Sequence, residues 1–237
     1  MIRREGARMR TIGLIGGMSW ESTAVYYREA NELVRTRLGG LNSAKIMLAS
    51  LNFHEISELQ RAAEWETAGA VLADAARGLE SAGAEIILIC TNTMHLLVDQ
   101  VQAAVAAPVL HIGDVAAEAV LARGLHRVAL LGTAFTMEKA FYRERIASHG
   151  LEVIVPAEDD RRAIHRAIFE ELAVGVVSDE TRMQFRGIIK RLIAAGAQGI
   201  ILGCTEIELL ISEADSPVPV FPTARLHIEA AVEQALA

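Results

Sequence analysis

Aromatic residues are scarce in this 237-residue chain, at 5%, cysteine occurs twice, and proline five times. No apolar run reaches the roughly 18 residues that would suggest a membrane span. Two cysteines cannot staple a chain of this length, which excludes a disulfide-framed scaffold and leads us to expect a cytoplasmic protein with reduced thiols. Positive charge is also in deficit: 23 Lys and Arg against 30 Asp and Glu leave a net charge of -7, and the pI is near 5.5. No global positive field exists to hold a phosphate backbone or an anionic bilayer, so neither nucleic acid nor a membrane is expected as a partner. What the chain has in quantity is Ala, Leu, Ile and Val, with 52% hydrophobic and 22% charged residues overall. That is the composition of helices packed on parallel strands, in a chain long enough for one or two domains with a sizeable core.

The first ten residues, MIRREGARMR, carry four arginines and no apolar block. The TIGLIGG that follows is too short and glycine-broken for a signal-peptide core, so residues 1–10 read as a loose basic tail, with Met9 as a second candidate start. From Thr11, strand-like runs alternate with amphipathic stretches: TIGLIG, Glu21 to Leu38, AKIMLASL, Glu64 to Ala82, EIILIC, Met94 to Ala106 and PVLHI. The order returns in RVALLG, Met137 to Ser148, LEVIVP, Ala163 to Ala173, Glu180 to Ala195, GIILGC, Glu206 to Leu210, VPVF and a last helix. Gly83, Gly150 and Gly196 each follow a helical stretch, where a left-handed cap favours glycine.

The second half resembles the first. Residues 11–27 match 127–143 at an offset of 116, with Gly16 on Gly132 and Tyr26 on Tyr142, and AGAEIILICT, 82–91, matches AGAQGIILGC, 195–204, at an offset of 113. APVLH near Pro108 echoes VPVFP near Pro219. Three segments in one order indicate duplication, and the period is far too long for a solenoid. The expected fold is α/β, with two similar pseudo-twofold-related lobes, each a parallel-type sheet flanked by helices. Residues 1–110 with 218–237 would form the first lobe and 111–217 the second. Ligands of such sheets bind beyond the strand carboxyl ends, which puts the expected site in the cleft between the lobes.

The gapless repeat alignment pairs Cys204 with Thr91, and Cys90 with Gly203. Side chains alternate across a strand, so Cys90 points differently and reads as a buried core thiol, while Thr91 and Cys204 are the repeat-related pair. Both sit at a strand end just before a helix, where free N–H groups and the helix dipole favour an anion and lower a thiol pKa. Two such groups facing a substrate carbon from opposite sides are what stereochemical inversion needs: one removes a proton, the centre flattens, and the other face regains one. Donors in the turns of Asn92, Thr93 and Thr205 would stabilise the charge developing on the substrate carboxylate, and no cofactor need take part.

TIGLIGGMSWEST, CTNTMH and GCTEI, in this order and separation, resemble the aspartate/glutamate racemase superfamily over nearly the whole chain after residue 10. SWESTAVYY and LNFHEI look like its broad-specificity or L-aspartate/glutamate-specific amino-acid racemases. The resemblance implies two α/β lobes, a homodimer, a free amino-acid substrate, no pyridoxal phosphate, and two cysteines as acid/base groups. Here the sequence departs. The family's first cysteine directly precedes Asn-Thr, and Thr91 holds that place; the second matches Cys204, which by the resemblance serves the face from which the L-enantiomer is deprotonated. A hydroxyl is a far weaker acid than a thiol, so Thr91 is a poor base at neutral pH, suited to delivering a proton or positioning a water. Unequal forward and reverse kinetics follow.

The family's cationic groups for a distal substrate carboxylate align near Ile56 and Ala173, neither of which can bind an anion. Gln60 or Arg61 could reach the pocket instead, and both also read as solvated helix residues. Met18 and Thr133 are candidate carboxylate contacts, and Glu206 completes the expected substrate-binding set. GLIGGM lacks dinucleotide-binding spacing, and His54 and His95 have no partner at metal-ligand spacing, so neither a nicotinamide cofactor nor a metal is expected. Two other functions fit the residues. One is a related decarboxylase or cis/trans isomerase using a single cysteine, and the other is a non-catalytic small-molecule-binding module.

Overall fold

Strands and helices alternate through the computed structural model, which describes residues 8–237. The order begins β1 (Ile12–Gly16), α1 (Trp20–Leu38), β2 (Ile46–Ser50), α2 (Phe53–Arg61), α3 (Trp65–Ser81) and β3 (Ile86–Ile89). A 3-10 turn at Thr93–Leu97, α4 (Val98–Ala103), β4 (Val109–Leu110) and α5 (Ile112–Ala122) follow. The rest runs β5 (Arg127–Gly132), α6 (Ala134–Glu138), α7 (Ala140–Ala147), β6 (Glu152–Ile154), α8 (Glu158–Glu170), α9 (Asp179–Ala194), β7 (Gly199–Gly203), α10 (Ile207–Leu210), β8 (Val220–Pro222) and α11 (Thr223–Leu236). Among the described residues these strands make two four-stranded parallel sheets, ordered β2-β1-β3-β4 and β6-β5-β7-β8.

The two sheets share a register as well as an order. Ile12 pairs with Ile86 in the first, and Val128 with Gly199 in the second, positions related by the same offsets of 116 and 113 read from the sequence. The repeated AGA segments cap α3 and α9 alike. Gly83 and Gly196 have φ of 101° and 99°, and the next residue reaches back from Ala84 to Leu79 and from Ala197 to Leu192. A Cβ would strain both turns.

The chain divides into two compact units. One takes the described residues up to Cys90, Leu97–His111 and His227–Ala237, and the other Thr91–Leu96 and Ile112–Leu226. The division differs from the sequence reading at three places: 91–96 and 218–226, read as first lobe, fall in the second unit, and His111, read as second lobe, falls in the first. β8 pairs with β7, so its residues complete the second sheet. Residues 91–96 make side-chain hydrogen bonds within the second unit, described below, and where the sequence reads one helical stretch, Met94–Ala106, the chain has a 3-10 turn and a short α4. The basic tail is corrected in part. Residues 1–7 lie outside the described residues, but the Arg10 amide donates to the Ala235 carbonyl at 2.9 Å, and Arg8 pairs with Glu85 at 3.2 Å.

In the second unit, strand alternation builds a core on each face of the sheet. Ala129, Leu131, Ile200 and Leu202 pack with α8 and α9 on one face, whereas Val128, Leu130, Ile201 and Phe221 pack on the other with Ile112, Val120, Tyr142 and Ile146. Helix α9 shows why its sequence is helical. Ser178 caps its first turn, Asp179 and Glu180 face the positive dipole end, and Phe185, Ile188, Ile189 and Leu192 form one buried stripe. Helix α5 has no such periodicity to read. Ile112, Gly113, Val115, Ala116, Ala117 and Val120 are buried nearly all round it, so the polar face that marks a surface helix is missing.

The first unit is pinned by a buried histidine. Tyr26 on α1 donates to His227 Nδ1 at 2.9 Å, and His227 Nε2 on α11 donates to the Leu110 carbonyl at 2.8 Å. Burial, the largest cause, holds the His227 pKa down to about 3. The imidazole is therefore neutral when folded, whereas an unfolded one titrates near 6.5. The unfolded chain binds the extra proton between those values, so this contribution is complete above about pH 6.5 and is lost as pH falls towards 3, at up to about 1.4 kcal/mol per pH unit. Urea midpoints should fall between pH 6.5 and 5 in the parent and less steeply in His227→Gln; parallel slopes would contradict it.

Candidate functional site

The carboxyl ends of β5 and β7 lie side by side, with Gly132 paired to Gly203, so Thr133 and Cys204 leave adjacent strands at the same level. Thr133 caps α6, its hydroxyl accepting from the Thr136 amide at 3.3 Å. In the first sheet Ile15 pairs with Ile89, and the Cys90 amide continues the ladder by donating to the Ile15 carbonyl at 2.9 Å. Carried one residue on, Cys90 takes the place of Gly203 and Thr91 the place of Cys204. Cys90 is fully buried, and burial alone pushes its thiol far up.

Cys204 has a different neighbourhood. It is buried against the α8 and α9 face of the second sheet, and its Sγ donates to Glu206 Oε2 at 2.9 Å. The Thr205 hydroxyl donates to the same oxygen, also at 2.9 Å. Burial raises the thiol well above its ordinary pKa, and the Glu206 charge and hydrogen bond raise it further. The backbone amides of Glu206 and Ile207 act in the opposite sense, as the sequence reading expects, but they are outweighed. The expected lowering of the thiol pKa is thus corrected: α10 has four residues, and a carboxylate beside the sulfur opposes its ionisation. The resting arrangement is a thiol whose proton already points at a carboxylate.

Thr91, half-buried, begins the loop that has left the first sheet. Its carbonyl accepts from His95 Nδ1 at 2.8 Å, and His95 Nε2 accepts from the Ile112 amide at 3.2 Å, which fixes the tautomer with hydrogen on Nδ1. The Asn92 side chain donates to Thr223 Oγ1 at 3.0 Å and accepts from the Tyr142 hydroxyl at 2.6 Å. Thr93 Oγ1 lies 3.4 Å from Thr133 Oγ1, itself 3.2 Å from Thr136 Oγ1. The second unit contains Thr91, Asn92, Thr93, Thr133, Cys204, Thr205 and Glu206, with the Cys204 thiol and the Thr205 hydroxyl on one Glu206 oxygen and Thr93 linked to Thr133.

Two other expected site residues belong to the first unit. Met18 is buried in the turn between β1 and α1, and Gln60 is half-buried on α2. Glycine is required beside Met18: a Cβ on Gly17, at φ 85°, would overlap the Leu51 carbonyl, while the Gly17 amide donates to Thr23 Oγ1 at 2.8 Å. Arg61 is exposed and paired with Glu58 on its own helix. Ile56 is buried, and Ala173 lies in a 3-10 turn, so neither supplies a cation. Among the described residues no group of three or more His, Cys, Asp or Glu is placed to hold a metal ion, and no helix is long and apolar enough to cross a membrane.

The sequence reading treats His95 only as a metal candidate and Tyr142 only as the repeat partner of Tyr26. It omits Thr223 and Thr136. Of these, Tyr142 has a signal in the sequence through the repeat and His95 through its place in CTNTMH, whereas Thr136 and Thr223 have none.

Residues 15–231 match the Asp/Glu/hydantoin racemase family. A candidate Asp/Glu racemase from Yersinia pestis, solved by crystallography, is 51% identical, with 97% of this chain and 100% of that one covered and a TM-score of 0.92. An aspartate racemase homologue from Pyrococcus horikoshii OT3 is 39% identical over 96% of this chain and 99% of its own, with a TM-score of 0.85. The broad specificity amino-acid racemase RacX of Bacillus subtilis (strain 168) is 22% identical over 95% of this chain and 98% of its length.

Proposed function

The chain belongs to the Asp/Glu/hydantoin racemase family and is an amino-acid racemase, and on that premise we propose that it inverts the α-carbon of a free amino acid, aspartate, glutamate or a broader set, with Cys204 and Thr91 on opposite faces. The observation that carries this reading is the shared sheet register, in which Thr91 stands to β3 as Cys204 stands to β7. Glu206 takes the thiol proton at the 2.9 Å contact, and the thiolate removes the α-proton of the L-enantiomer. The Thr91 hydroxyl, or a water it holds, protonates the flattened carbon from the other side. The proton on Glu206 then leaves through solvent and the hydroxyl is restored, so protons balance over a turnover. Thr93 and Thr133 supply hydroxyl donors for the charge that grows on the substrate carboxylate, and Asn92 and Thr205, whose side chains are engaged elsewhere, do so through their backbone N–H groups. Met18 and Gln60 remain proposed substrate contacts. In this reading the role of Glu206 shifts from binding substrate to activating the thiol.

Incubating L-amino acids, acidic and neutral, in heavy water tests the reading. Chiral chromatography with mass detection should find the D-enantiomer carrying deuterium at Cα. No inversion across the panel would overturn racemisation.

A homodimer is the proposed assembly, supported by large apolar side chains that the first unit leaves exposed. Trp20 and Tyr27 on α1 are 68% and 56% exposed, Leu41 is fully exposed, and edge strand β2 exposes Met47 and Leu48. A depression of about 550 Å³ lined by Tyr27 and Leu41 also holds Arg28 and Arg35 with Glu32, both signs of charge, which suits contact with a second copy. Light scattering should give twice the 25.6 kDa chain mass, and a monomer at micromolar concentration would refute it. The cytoplasm remains the proposed compartment, supported by two buried thiols that form no disulfide.

A further inference from the structure

The last sheet hydrogen bond before Thr91 is made by the Cys90 amide, so the backbone of Thr91 is held by side chains rather than by a strand ladder. One of those attachments is a chain of hydrogen bonds with a single direction. Tyr142 on α7 is fully buried, and burial pushes its phenol up, so its hydroxyl donates, to Asn92 Oδ1 at 2.6 Å. With that oxygen accepting, the Asn92 amide nitrogen donates to Thr223 Oγ1 at 3.0 Å. The Thr223 hydroxyl then donates onward to the Leu202 carbonyl at 2.7 Å. Every donor and acceptor in the chain is assigned by the one before it. It starts at Tyr142, passes through Asn92 next to Thr91, and ends two residues before Cys204, on the strand that delivers the thiol.

The repeat makes the arrangement more pointed. Tyr26 and Tyr142 occupy equivalent positions and both are buried, but Tyr26 donates to a histidine of α11 and Tyr142 to the Thr91 loop. We propose that Tyr142 and Thr223 are positioning residues for the racemisation. Through Asn92 they fix Thr91 relative to Cys204, so that the two groups address one carbon from opposite sides. This rests on the function proposed above. Two-face proton transfer is demanding of geometry: a displacement of about 1 Å can cost on the order of 10²-fold in rate.

Thr223→Val removes the hydroxyl at nearly constant volume, and Thr223→Ser keeps it. The valine variant should lose roughly tenfold or more in kcat with KM little changed, as for an interaction that aligns the reacting groups and does not bind the ground state. The serine variant should keep most of the parental kcat. Tyr142→Phe should match Thr223→Val, and the double variant should be no slower than the slower single one, because one chain is cut twice. Folding is followed by thermal melts, and if Tyr142→Phe does not fold, the valine and serine pair decides alone. Valine as active as serine, or losses that multiply in the double variant, would overturn positioning while leaving racemisation standing. A parent enzyme that inverts no amino acid would instead overturn the function, and this inference with it.

Discussion

Cys204→Ala is expected to stop α-proton exchange from the L-enantiomer, a loss of about 10²–10⁴-fold, while Cys90→Ala keeps most of the turnover. Both cysteines are buried and both thiols are raised by burial, but they differ in where they stand on the strand and in what meets the sulfur. Cys90 still carries a sheet hydrogen bond, is wholly enclosed, and has no acceptor for its thiol proton among its described partners. Losing its sulfur should cost only a packing penalty of about 1–3 kcal/mol. Cys204 stands one residue past the end of β7 with a carboxylate oxygen 2.9 Å from its sulfur. Exchange of the α-proton for deuterium, started separately from each enantiomer and read by mass spectrometry, distinguishes the two. If Cys90→Ala were folded and as inactive as Cys204→Ala, Cys90 would have to be the second acid/base group.

Glu206→Gln is the second large effect. The amide preserves size but cannot take the thiol proton, so exchange from the L-enantiomer at neutral pH should fall by roughly 10²-fold. The direction with pH follows from what Glu206 does to the sulfur. Its charge and hydrogen bond both raise the Cys204 pKa, so the substitution lowers it, although burial still keeps it up. The residual rate should therefore climb as pH rises and solvent base takes the proton that Glu206 otherwise receives. Rate profiles of the parent and the variant check this. A variant with the parental rate at neutral pH would show that Glu206 only fills space beside the thiol.

Local features of the fold were legible in the chain because their causes are local. The AGA turns cap α3 and α9 through glycine's left-handed backbone, and the stripe on α9 follows helical spacing. Helix α5 escaped because burial on nearly all sides removes the periodic contrast. The placement of β8 escaped because a three-residue apolar strand carries no mark of its neighbour. The candidate site divides the same way. Thr91 and Cys204 could be paired from the repeat, whereas Tyr142 and Thr223, 81 residues apart, have no shared motif.

By itself the sequence determined the duplication, the α/β alternation, and which threonine corresponds to which cysteine, since side-chain alternation with a period of two follows from backbone geometry at each residue. Only the tertiary structure decided that Glu206 faces the Cys204 sulfur, that the thiol is held protonated, and that residues 91–96 join the second unit. Those outcomes depend on how much water is excluded around a group and which partner meets it through space. Asn92 and Thr223 are 131 residues apart in the chain and 3.0 Å apart at their polar atoms, a contact no local pattern encodes.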